Sequence, residues 1–146
     1  MLNGKTALLA AILLLALAAC SPGNTDSTTA TEEAQGEAVQ GVYQTLTIDE
    51  LADVIQNEAD AYTIINVHIP YAGEIEGTDA NIAFNDLDAL TEALPDKDAP
   101  IILYCRSGSM SEQATRALLE RGYTQVWDVP GGMNAWQASG RELVSR

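Results

Sequence analysis

The chain carries two cysteines, Cys20 and Cys105, and one histidine, His68. Cys105 stands in the most informative setting. It ends the apolar run Pro100-Ile101-Ile102-Leu103-Tyr104 and opens the segment Cys105-Arg106-Ser107-Gly108-Ser109-Met110-Ser111. The reactive form of cysteine is the thiolate. Inward-pointing backbone N–H groups, a helix N-terminus and a nearby cation all favour that anion, and this segment can supply each. A tight loop around Gly108 can curl its amides into an anion-binding nest. A helix opened by Ser109 or Ser111 adds the positive end of its dipole, and Arg106 is adjacent. The plain alternative is a small buried residue closing a strand; the Arg, Gly and Ser neighbours argue against it. His68 follows a second apolar segment. It is a candidate accessory base or donor near the site, or a polar loop residue that bonds locally. One His and one Cys without close spacing do not make a metal site, and no cofactor is expected.

These residues need elements to hold them. Val42–Leu46 reads as a short strand, and Thr47 with Glu50 three residues on forms a capping box for a helix to about Asn57. Tyr62–Val67, rich in β-branched residues, reads as a buried strand. A Gly-rich loop, Ala72–Asp79, precedes a brief strand at Asn81–Phe84. Asn85 is the expected cap of a helix carrying Leu87, Leu90 and Leu94. Pro100–Tyr104 is a third strand-like run, and the helix after Cys105 ends at Gly122, a left-handed terminator. Gln125–Val129 and a last helix through Trp136 close the chain, with Trp127 and Trp136 expected as packing residues. Strands alternating with helices predict an α/β domain with a mainly parallel sheet. In such sheets ligands bind beyond the carboxyl ends of the strands, where Cys105 falls.

The first 40 residues read differently. Lys5 precedes Ala7–Ala19, thirteen apolar residues without a break. A spanning helix needs about 20, so the length is that of a signal-peptide core. The run ends Leu17-Ala18-Ala19-Cys20, similar to a bacterial lipobox, in which the cysteine is lipidated and becomes the new N-terminus. The expected organisation is a lipoprotein signal peptide at 1–19, a lipidated Cys20 with a Ser/Thr/Glu-rich tether at 20–40, and one domain at 41–146. That predicts an extracytoplasmic protein anchored to a bacterial membrane through its lipid. Cys105 is then a lone thiol in an oxidising compartment, a costly residue to keep without a use.

Charge narrows the partners. The formal net charge is −14. From Gly41 onward, 17 acidic and 6 basic side chains give −11. Nucleic-acid binding rests on Lys and Arg neutralising phosphates, so that class is excluded. Attachment to anionic lipid by charge is disfavoured as well. A monomer is expected.

Cys105-Arg106-Ser107-Gly108 with Ser111 resembles the active loop of rhodanese domains, C-R-S-G-x-R-S. The tail Val129-Pro130-Gly131-Gly132-Met133-Asn134-Ala135-Trp136, followed by Gly140, is similar to their closing G-G-x-x-A-W…G segment. Gly73-Glu74-Ile75-Glu76-Gly77 stands where the family shows G-H-I-P-G, with Asn81-Ile82 following. The resemblance implies a five-stranded parallel sheet flanked by helices on both faces. It also implies sulfur transfer: the Cys105 thiolate takes the outer sulfur of a donor such as thiosulfate, a polysulfide or a persulfide, holds it as Cys–S–S⁻, and yields it to a thiol or other thiophilic acceptor. Arg106, Ser107, Gly108, Ser109, Met110 and Ser111 would form the substrate loop.

Three departures stand out. Met110 replaces the loop's second Arg, which removes a fork of donors for a dianion. Asn66-Val67-His68 stands for the family's D-V-R. The stretch Ile69–Ala72 is shortened. Loss of one charge of each sign suggests linked changes and a donor less charged than thiosulfate. A catalytically weak binding or persulfide-relay module is the alternative reading. Some phosphatases share this fold, but they place Arg six positions after the Cys, where this chain has Ser111; the next Arg is Arg116. A Cys–His hydrolase lacks a residue to orient His68.

Overall fold

The computed structural model describes residues 40–146. The signal-peptide segment, Cys20 and nearly all of the tether lie outside the described residues. Five strands form one parallel sheet in the order β1-β5-β4-β2-β3: β1 Gln44–Thr45, β2 Thr63–Asn66, β3 Ala80–Asn81, β4 Ile101–Tyr104 and β5 Val126–Asp128. Three α-helices lie between strands, α1 Ile48–Asn57, α2 Leu87–Ala93 and α3 Ser109–Glu120, and α4 Gly132–Ala138 follows β5. The expected five-stranded parallel α/β architecture is the one observed.

The central strand β4 is buried along its whole length, as a parallel strand covered on both faces must be. Its alternation divides the core. Ile101, Leu103 and Cys105 join Ile65, Val67 and Val126 under α2 and α3. Ile102 and Tyr104 join Ile64 and Val129 under α1 and α4. Full burial of such a side chain contributes roughly 1.5–3 kcal/mol, so period-2 alternation drives helices onto both faces. Cys105 thereby faces α3.

The capping box forms as expected: Thr47 Oγ1 accepts from the Glu50 amide at 3.2 Å, and Glu50 Oε2 accepts from the Thr47 amide at 2.8 Å. Helix α2 is capped one residue later than expected. Asp86, not Asn85, accepts from the Ala89 amide at 3.0 Å. Both residue types cap well, and a turn in which the Asp86 amide donates to Ala83 O decides between them. The strand expected at Asn81–Phe84 is the two-residue β3, Ala80–Asn81. Ile82 and Phe84 still donate to Asn66 O and Val67 O, but that turn ends regular pairing. Neither Ser109 nor Ser111 caps α3; Gly108, at φ +99°, occupies the cap position with no side-chain bond. Gly122 does end α3 at φ +86°. Its amide bonds Leu119 O and the Tyr123 amide bonds Leu118 O, the paired closure of a Schellman motif.

Candidate active site

The carboxyl ends of β2 and β4 lie side by side, because Asn66 pairs with Tyr104. The chain leaving β4 turns at once into α3, so Cys105 is held between a strand end and a helix start. Its side chain is 1 % exposed. The Gly108 amide donates to Sγ at 3.1 Å, and Ser111 Oγ lies 3.7 Å from it. Ser111 Oγ also donates to Gly108 O at 3.1 Å. One proton cannot serve both acceptors, so the sulfur is the second acceptor within reach of that hydroxyl. The arrangement closes only because Gly108 adopts a left-handed φ that L side chains avoid. Cys105, Gly108 and Ser111 are thus brought together. Arg106, Ser107 and Ser109 are exposed. Met110 is half-buried against the apolar cluster under α2 and α3. Arg116 is committed elsewhere, paired with Glu112 at 2.9 Å and stacked over the Tyr43 ring, so it offers no phosphate clamp.

The loop's carbonyls face a second helix. The Met133 amide donates to Cys105 O and the Asn134 amide to Arg106 O, both at 2.9 Å. Gly132 makes this approach possible. A Cβ there would fall 1.9 Å from Cys105 O, and one on Gly108 would fall 3.0 Å from Gly131 N. The paired glycines therefore dock α4 against the cysteine loop, the contact that ties the closing motif to the opening one.

His68 follows the end of β2. Its amide donates to Asn66 Oδ1 at 3.0 Å, while its ring Nδ1 is buried without a hydrogen-bond partner among the described residues. Burial, and secondarily the Arg106 guanidinium, hold its pKa below the ordinary histidine value. His68 and Arg106 thus share one neighbourhood at the sheet edge. Asn66 is fully buried; besides accepting from His68 it donates through Nδ2 to Gly73 O at 3.1 Å. An aspartate could accept the first bond but not make the second. This local need explains Asn66 without reference to Met110, which packs in a different place.

Two side chains that the sequence did not single out belong to the surroundings of the loop. Arg106, Asn134 and Gln137, with Ala72, Met133 and Leu143, line a cleft of about 240 Å³. Asn134 and Gln137 are i and i+3 on α4 and share a face, but polar residues on an exposed face carry no sequence signal of a site. No group of metal-ligating side chains occurs among the described residues.

Comparison with known proteins decides the family. Residues 24–139 match the model of the rhodanese-like domain. The chain belongs to the rhodanese-like domain family. It is 36 % identical over 75 residues to a thiosulfate sulfurtransferase GlpE of Pseudoalteromonas translucida, covering 51 % of this chain and 70 % of that one. It is 41 % identical over 49 residues to a sulfurtransferase of Allochromatium vinosum, covering 34 % of this chain and 46 % of the relative, so it spans under half of that protein's length. In structure it is similar to a rhodanese-related protein of Thermoplasma volcanium, at TM-score 0.58 and 27 % identity over 70 % of this chain and 98 % of the other. As a rhodanese-like domain, the chain sits in a family whose named relatives include sulfurtransferases.

Proposed function

We propose that this rhodanese-like domain transfers sulfane sulfur through a persulfide on Cys105. One observation carries the reading: Gly108 N–H at 3.1 Å and Ser111 Oγ at 3.7 Å converge on a sulfur placed between a strand end and a helix start. The Gly108 amide is aimed where charge sits before and after each step, with the Ser111 hydroxyl an alternate donor within reach. In the first step the Cys105 thiolate attacks the outer sulfur of a donor. With thiosulfate, the S–S bond of the donor breaks and sulfite leaves with its electron pair, giving Cys–S–S⁻. In the second step a thiophilic acceptor attacks the outer sulfur, and the pair of the breaking bond returns to Sγ. Met110 leaves Arg106 as the loop's one guanidinium, which favours a donor carrying less charge than the thiosulfate dianion, such as a persulfide. It also supports a second reading, in which the domain relays or presents persulfide with little turnover. The Leu17–Cys20 motif supports lipidation at Cys20 and an extracytoplasmic, membrane-anchored protein; fatty-acid labelling lost in Cys20→Ser tests that part.

Intact-mass spectrometry after exposure to thiosulfate, and separately to polysulfide, tests the chemistry. The expected result is a gain of one sulfur atom, absent in Cys105→Ala and larger with polysulfide. Met110→Arg should raise thiosulfate kcat/KM by about tenfold, the equivalent of one charge-assisted contact. No adduct from either donor on folded protein with a titratable thiol would overturn sulfur transfer. A Met110→Arg variant without gain would remove the loop-charge explanation.

A further inference from the structure

The segment that follows β2 carries a buried charge. Glu74 is 3 % exposed. A carboxylate taken out of water needs a partner, and losing that partner strands the charge. The partner comes from the stretch beyond α4. Arg146 Nε lies 2.6 Å from Glu74 Oε1, and Asn81 Nδ2 donates to Glu74 Oε2. The same guanidinium donates to the carbonyls of Thr78 and Asp79, and the Arg146 amide donates to the Tyr71 hydroxyl at 3.2 Å. Such divergent acceptors suit the fork of an arginine, not a point charge. Backbone bonds in both directions between Glu74 and Val144, at 2.8 and 2.9 Å, lay this strap along the loop.

What the strap grips is tied to the ends of both strands that lead into the site. Gly73 O accepts from Asn66 Nδ2, and Asn66 Oδ1 accepts from the His68 amide. The Ile75 amide donates to the Tyr104 hydroxyl, which lies 2.6 Å from Thr78 Oγ1, and Tyr104 immediately precedes Cys105. Arg106 in turn acts on the His68 ring. A Glu74 drawn toward water would pull its neighbour Gly73 away from Asn66, and the start of the His68 loop would lose its fixed partner. The Cys105 sulfur is less dependent on these ties. It keeps the Gly108 amide, and the loop keeps the α4 amides on its carbonyls.

We propose that Arg146 is a positioning residue: by compensating buried Glu74 it holds the segment from Gly73 to Thr78 against Asn66 and Tyr104, and so fixes where His68 and Arg106 stand when an anionic sulfur donor binds. The inference rests on the sulfur-transfer reading above. Arg146 touches neither sulfur nor donor. It serves donor binding, while the backbone cradle serves the attack.

The test uses the full chain and the variants Arg146→Ala and Glu74→Gln/Arg146→Ala. The Arg146 side chain is 55 % exposed, so its removal leaves the core intact. His68 is the one histidine of the chain, and its ring resonances report its titration directly. In Arg146→Ala the His68 pKa should rise toward the ordinary value near 6.5, as the ring gains water and Arg106 moves off. Sulfur loading, followed by intact mass with whichever of thiosulfate and polysulfide loads the parent, should show a split. The half-saturating donor concentration rises about three- to tenfold, the equivalent of one weakened charge-assisted contact, and the maximal rate is unchanged. In the double variant no buried charge is left to compensate, so both readouts should return toward the parent. An unchanged titration and half-saturation in Arg146→Ala, with only a lower urea midpoint, would make the strap purely structural and overturn the role. A double variant as displaced as the single one would overturn charge compensation as its cause. Failure of the parent to load overturns sulfur transfer, and the histidine titration then decides the positioning alone.

Discussion

Two loops leave the same edge of the sheet from neighbouring strands, and buried side chains do more to hold one than the other. The loop after β4 is made of backbone. Its partners are the Gly108 amide on the sulfur and the α4 amides on the Cys105 and Arg106 carbonyls. The loop after β2 adds buried side-chain ties to a backbone bridge between Glu74 and Val144. Asn66 ties Gly73 to the strand end, and the Tyr104 hydroxyl accepts from the Ile75 amide at 2.9 Å. That hydroxyl's own proton points to Thr78 Oγ1, 2.6 Å away, and Thr78 donates onward to Ile75 O at 2.6 Å. Burial raises the Tyr104 pKa to about 12, so the chain of donors stays intact across the working range. Farther out, Glu74, almost fully buried, pairs with Arg146 at 2.6 Å. A backbone loop is sensitive to any atom added to it and tolerant of most side chains pointing out; a side-chain loop is sensitive to the identity of each bonded group.

The largest effect that follows is at Gly132. Its Cβ would overlap the backbone oxygen of Cys105 at 1.9 Å, at a φ of +47°. Gly132→Ala should cost at least about 3 kcal/mol, overpacking added to left-handed strain, or prevent folding. Gly122→Ala is the matched control. It has φ +86° with nothing within 4 Å, so strain alone should cost about 1–2 kcal/mol. Urea unfolding midpoints measure both. Equal costs would mean that docking of α4 does not hold the cysteine loop.

The side-chain loop is broken differently. Asn66→Asp keeps the shape and the bond from the His68 amide but cannot donate to Gly73 O, and it sets a buried carboxylate against that carbonyl. The expected loss is about 2–3 kcal/mol, the cost of buried polar groups left without partners. Unfolding in urea at neutral pH measures it. An unchanged midpoint would show that the donor role of Asn66 carries nothing, and that the family's aspartate would serve here as well.

The same contrast explains what could be read from the sequence. A backbone loop needs glycines at particular places and a cysteine between strand and helix, so Cys105, Gly108 and the Gly131-Gly132 pair stand out as spaced letters. The unbroken apolar run Ile101–Tyr104 reveals a strand buried on both faces, and the Thr47–Glu50 box marks a helix start. The side-chain network is illegible, because nothing local distinguishes Tyr104, whose hydroxyl reaches a loop 29 residues away, from a merely buried aromatic. Asn66 reads as a departure from a motif, and only its contact with Gly73 shows why it is there. The cap at Asp86 and the shortened β3 depend on one turn bond, below the resolution of residue preferences. Asn134 and Gln137 look like any solvated helix face until Arg106 is placed beside them.

The smallest effect belongs to His68, where the two loops meet. Burial first, and the Arg106 guanidinium second, lower its pKa from the unfolded value near 6.5. As pH falls, the unfolded chain therefore takes up this proton before the folded one does. The contribution of neutral His68 to stability is complete above about pH 6.5 and is lost as pH drops through the lower folded value. The ring is only partly buried, so the loss is modest. His68→Gln removes it while carboxylate titration elsewhere continues. The fall in urea midpoint between about pH 7.5 and pH 5 should thus be smaller in the variant than in the parent. An identical fall in both would separate His68 from Arg106 electrostatically, leaving the edge of the backbone loop indifferent to the side chain that ends its neighbour.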